Sequence, residues 1–160
     1  MRTLVTSLLW FSVIGCGLMA GLYFAFSAFI MTALGRIDQA AGISTMNAVN
    51  DVIVRSLFLP VFLGSTLTSL ALAVLAPFRW DEPGAALWLA GGALYVTGMF
   101  AVTAVFNVPL NNALAAVQPA SSEAGTLWAR YLVDWTWWNH VRTVTSTLAF
   151  ALFIAAIAAR

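Results

Sequence analysis

The stretch LVTSLLWFSVIGCGLMAGLYFAFSAFIMTAL (residues 4–34) carries no charged side chain, and its reading decides the fold class. A segment this long and apolar is stable where its backbone amides bond within the segment itself, that is, as a helix in lipid. At ~1.5 Å per residue it would reach about 45 Å, beyond the ~30 Å hydrocarbon thickness, so this helix is expected to tilt or to project past one face. Its length also argues for a retained span over a signal peptide, whose apolar region is far shorter. Three more uncharged stretches, residues 56–78, 85–106 and 143–159, approach or meet the roughly 20 apolar residues of a bilayer crossing.

Composition agrees with this reading. Hydrophobic residues make up 62% of the 160 positions and charged residues 8%, with a mean hydropathy of +0.92, which leaves too little polar surface to coat a soluble globule. The expected fold is all-α: a transmembrane four-helix bundle in one domain, residues 1–160, with short amphipathic helices in the first and third connections. The net charge of +1 is carried by arginines alone and forms no basic stripe, so nucleic acid is not an expected partner. Cys16 is the single cysteine, so neither an intrachain disulfide nor a thiolate cluster can form. Gly17 and Gly21 form a GxxxG pair, which allows close helix packing inside the bundle or in a homodimer.

Polar side chains gather at a few places. WTWWNHVR (residues 135–142) sets tryptophans, an amide, the only histidine and an arginine at the expected head of the fourth span. Trp135, Trp138, Asn139 and Arg142 follow i, i+3, i+4 and i+7, one helical face. The plainer alternative is a set of interfacial anchors. NVPLNN (residues 107–112) closes the third span; Pro109 cannot donate a helical hydrogen bond, so a kink or helix end is expected, with Asn107, Asn111 and Asn112 serving freed backbone groups or a ligand. Asn50, Asp51 and Arg55 precede the second span, where Asp51 and Arg55 also read as an ordinary i,i+4 ion pair.

With four spans, the first and third connections share one side of the membrane, so these groups are expected to meet at one rim around a pocket walled by Trp135, Trp138 and Phe106. One histidine and no neighbouring thiolate fall short of a zinc or copper ligand set, and no cofactor is expected. No serine-nucleophile, phosphate-loop or dinucleotide motif is present. Transport is disfavoured, because neither an internal repeat nor midplane charge is seen. What remains is His140 as general base, with Asn139, Asn111 and Arg142 stabilising an oxyanion. The rival is a non-catalytic binding or structural protein, holding a quinone or lipid or acting as an accessory subunit.

On NVPLNN and WxxWNHVRT, supported by Asn50, Arg55 and Gly21-x-Tyr23-Phe24, the whole chain resembles the anthrone-oxygenase-like family of small four-span membrane proteins. The resemblance implies oxidation of an anthrone-type phenolic substrate to a quinone by molecular oxygen, without metal or flavin. It directs attention to Asn107, Asn111, Trp138, Asn139, His140 and Arg142. The expected partners are a small aromatic or quinone-like molecule, molecular oxygen and membrane lipid, and the expected setting is a bacterial inner membrane. With Arg55 and Arg142 held in the site and Arg130 on a surface helix, the remaining positive charge places the termini in the cytoplasm.

Overall fold

Helices account for most of the residues described in this computed structural model, which are residues 2–160. They are α1 (Arg2–Leu34), α2 (Gln39–Ile53), α3 (Phe58–Arg79), α4 (Ala85–Ala115) and α5 (Ser122–Ala158). Among the described residues there is no strand. All except α2 are long and apolar enough to cross a membrane. Each spanning helix packs on two others, α1 on α3 and α5, and α4 on α3 and α5, giving a four-membered ring. The expected fold class is therefore the one observed.

Two apolar clusters fill the ring. One, around Leu9, Leu72, Trp88, Tyr95 and Phe153, occupies the end where the termini and the α3–α4 turn lie. That turn needs Gly84, whose φ of +85° belongs to the left-handed region, and whose absent side chain leaves room for the Ala156 carbonyl at 3.1 Å from where a Cβ would sit. The other cluster, around Ile43, Met46, Leu114, Trp128 and Tyr131, lies at the opposite end beneath α2. Gly42 lets α2 settle there, since a Cβ would fall 2.9 Å from the Trp128 ring.

The helices differ from the sequence expectation in one systematic way: they run on past the apolar stretches. α5 has 37 residues, about 55 Å of helix at ~1.5 Å per residue. It starts at Ser122, where the Ser121 hydroxyl accepts a hydrogen bond from the Ala124 amide at 3.1 Å. WTWWNHVR thus lies in mid-helix and not at a helix head. The cause is visible in its buried residues, Trp128, Tyr131, Trp135, Asn139, Arg142, Ser146, Ala149 and Phe153, which keep a three-and-four spacing across the change from polar to apolar sequence. The third connection likewise contains no helix separate from the spans; its helical parts belong to α4 and α5.

Nor does Pro109 end its helix. α4 reaches Ala115 because the turns before the proline widen into π-helix, over Val96–Ala101 and again over Thr103–Asn107. An i→i+5 pattern re-routes the carbonyls that proline leaves without a donor. α1 has a similar widened stretch at Phe26–Ile30, near the same level of the bundle. Of the two GxxxG glycines, Gly17 receives the Phe150 ring, 3.2 Å from where its Cβ would be, whereas Gly21 faces open space.

Candidate functional site

Between the two apolar clusters lies a layer of buried polar side chains, and Arg142 is its centre. The residue is 4% exposed. One terminal nitrogen donates to Asn139 Oδ1 at 2.8 Å, and the other reaches Thr103 Oγ1 at 3.4 Å. Tyr23 and Trp135 lie against the guanidinium, with its carbon 4.2 Å and 4.9 Å from the two ring centroids. These cation–π contacts offset part of the cost of removing the charge from water. No carboxylate pairs with it, and its Nε has no hydrogen-bond partner among the described residues.

Asn139 locks this arrangement to α1. Its amide nitrogen donates to the Tyr23 carbonyl and to Ser27 Oγ, both at 2.8 Å, while its oxygen accepts from Arg142. Both N–H groups and one lone pair of the oxygen are thereby engaged within the protein, which suits a positioning residue. The widened turn of α1 starts at Phe26, so Ser27 sits where helical register is already disturbed.

A cavity of about 110 Å³ opens beside Arg142. Tyr23 and Phe26 from α1, Asn50 from α2, Thr103 and Asn111 from α4, and Trp135 from α5 wall it, with aliphatic side chains of α2 closing the top. The Asn50 amide nitrogen, the Trp135 indole N–H and Arg142 Nε are buried without partners. The surplus around this space consists of donors. Asn111 is oriented by Tyr131, whose hydroxyl donates to its Oδ1 at 2.8 Å. Such a site fits a flat molecule that carries an electron-rich or anionic oxygen.

The sequence-derived candidates divide cleanly. Arg142, Trp135, Asn111 and Asn50 line the cavity, and Asn139 positions Arg142. Asn107 is buried but turns to the neighbouring helix, donating to the Trp135 carbonyl at 3.2 Å. Phe106 and Trp138 stack on each other on the outside of the bundle, with ring centroids 3.6 Å apart, and border a different groove beside Arg130 and Asp134. Asn112 is exposed, and Asp51 with Arg55 forms an exposed ion pair at 2.8 Å. His140 requires the largest correction: it is exposed on the outer face of α5, one residue past the inward-facing Asn139, and it does not line the cavity. A step of one residue turns a side chain about 100° around a helix, which is enough to take the imidazole out of the layer.

Sequence reasoning missed Tyr23, Phe26 and Thr103. Each sits within an apolar run, and although Ser27 and Asn107 follow Tyr23 and Thr103 at i+4, it is the burial of Arg142 against them that reveals a role. Among the described residues, no three His, Cys, Asp or Glu side chains converge.

The comparisons with known proteins add one finding. Residues 53–152 match the family model described as anthrone oxygenase, a region that holds Asn107, Asn111, Trp135, Asn139 and Arg142. No curated protein and no solved structure gives a significant match. The match takes in more than half of the chain and most of the polar layer, and with it this four-helix membrane protein belongs to the anthrone oxygenase family.

Proposed function

We propose that the protein oxidises a flat phenolic or anthrone-type molecule with molecular oxygen, and that Arg142 makes the reaction possible by holding the substrate as its anion. The observation that carries this reading is a buried guanidinium, without a carboxylate partner, beside an aromatic cavity whose unpaired groups are donors. A phenolate or enolate oxygen about 4 Å from such a charge gains about 4 kcal/mol at an effective dielectric of 20. That gain makes the bound substrate a stronger acid, lowering its pKa by about three units. Ionisation then needs no strong base, and the proton passes to water; among the described residues neither an imidazole nor a carboxylate lines the cavity.

For an anthrone the steps balance as follows. The methylene loses one proton to give a delocalised carbanion, which passes one electron to oxygen. Radical and superoxide combine with formation of a C–O bond, and the peroxide anion takes up a proton. Loss of the second C–H proton and cleavage of the O–O bond release water and leave the carbonyl of the quinone. One oxygen molecule is consumed, and one water is formed per quinone. The Trp135 and Asn50 N–H groups stabilise negative charge as it moves onto oxygen, and the Tyr23, Phe26 and Trp135 rings hold the flat substrate.

Oxygen uptake by the purified protein with anthrone, set against quinone formed, tests the reading. One oxygen consumed per quinone, dependent on Arg142, supports it. Uptake no faster than in protein-free micelles, from one-ring phenols as well as from anthrone, sinks it.

A further inference from the structure

The cavity beside Arg142 is small, and a second space adjoins it. A cavity of about 150 Å³ takes up one benzene ring, so the 110 Å³ here leaves room for at most one ring of a substrate and not for three fused ones. The adjoining space is an open groove of about 550 Å³ between α1 and α2, lined almost wholly by apolar atoms of residues that include Ala48 and Val52. Leu22, Phe26, Val49 and Ile53 border both spaces and form the partition between them. α2 rests mainly on α4 and α5 and meets the end of α1 at Gly42, which leaves the stretch from Thr45 onward standing off from α1. The groove therefore begins at the site of the unpaired cation and opens sideways between α1 and α2.

Resting on the oxidation reading above, we infer that the substrate is a membrane-dissolved phenol of one ring carrying a hydrocarbon chain, with the ring in the cavity and the chain in the groove. Charge complementarity fixes the head: Arg142 and the two free N–H groups require an oxygen able to bear negative charge, and the aromatic walls favour a ring over a carboxylate or phosphate. Shape fixes the remainder. A flexible chain threads between four partition side chains, whereas a rigid three-ring plane has to push them aside. The groove gives little driving force of its own, because the chain is apolar whether it lies in lipid or against α2. Its role is to let a molecule already dissolved in the bilayer insert its head without leaving it.

The test is equilibrium binding to the full chain in phosphatidylcholine nanodiscs, with ligand expressed as mole fraction of the membrane, using 4-decylphenol, phenol and decanoic acid. Ala48→Trp and Val52→Trp fill the groove from exposed positions on α2. Expected are tight binding of 4-decylphenol, at least tenfold weaker binding of decanoic acid, and at least a tenfold loss for 4-decylphenol in both variants, with a much smaller loss for phenol. Equal losses for phenol and 4-decylphenol, no loss for either, or decanoic acid bound as well as 4-decylphenol would overturn the inference. Circular dichroism checks that both variants fold. Binding of 4-decylphenol with no oxygen uptake from any phenol or anthrone removes the oxidation reading while leaving the groove assignment intact.

Discussion

The two ends of the bundle treat buried polar groups differently. In the half that holds the termini, hydroxyls meet hydroxyls: Ser12 donates to Thr68 at 2.8 Å, and Ser65 pairs with Tyr95 at 2.8 Å across the helix interface. Such contacts fix helix register at modest gain, about 0.6 kcal/mol each in a membrane setting. In the half beneath α2, a full charge is buried, and only part of its hydrogen-bonding capacity is met from inside the chain. A bundle that needed only to hold its helices together would have no reason to retain that charge, since an apolar residue of similar volume is commonly neutral or stabilising at such a site. The difference separates the part of the fold whose fully buried unpaired groups are neutral, Ser69 Oγ and Trp88 Nε1, from the part that buries a cation without a carboxylate and awaits a ligand.

Four substitutions break or sharpen this contrast. Arg142→Met is expected to lower oxygen uptake by on the order of 10² to 10³, the scale of losing a positioned oxyanion donor. Its thermal midpoint should stay level or rise, as removing an uncompensated charge predicts; a large loss of stability instead would make Arg142 a structural residue. Asn139→Ala comes next. It removes two hydrogen bonds across the α1–α5 contact and one to Arg142 within α5, and should cost about 2 kcal/mol, measured by thermal unfolding in detergent, and activity should fall because Arg142 loses its anchor. Tyr95→Phe, in the closed half, deletes the bond to Ser65 and should cost about 0.6 kcal/mol with turnover unchanged; a turnover defect would show that the two halves are coupled. Smallest of all is His140→Ala, for which less than a twofold change in rate is expected. A hundredfold drop there would restore the imidazole as base and overturn the placement of the site.

Much of this was legible in the sequence. Uncharged runs of spanning length announced four helices, and the heptad-like stripe through Trp135, Asn139 and Arg142 announced which face of the last one turns inward. Asn111 and Asn50 were found because amides beside a helix break stand out in apolar surroundings. His140 was assigned inward on the strength of residue type, although it lies one position past the stripe, and Trp138 because its i+3 spacing put it on the stripe, of which it occupies only the edge. Phe106 then satisfies Trp138 from outside the bundle, a pairing between two helices that no spacing within either can reveal. Tyr23 and Thr103 escaped for the opposite reason: each reads as a minor interruption in a long lipid-soluble run, and its importance arises from a neighbour more than a hundred or nearly forty positions away, respectively. The extent of α5 was underestimated because hydropathy marks where lipid begins, whereas helix continues wherever one side stays packed.

The widened turns of α4 have a genetic corollary. A π-helical turn accommodates one residue more than an ordinary one, so deleting a single codon within Thr103–Asn107 would restore regular winding and leave everything beyond it facing as before. Asn111 would stay at the cavity while the widened turn itself disappeared. Shortening the chain by one alanine, Ala104, should therefore be tolerated far better than deleting Val133 from the regularly wound α5, where the same loss turns everything beyond it by about 100°.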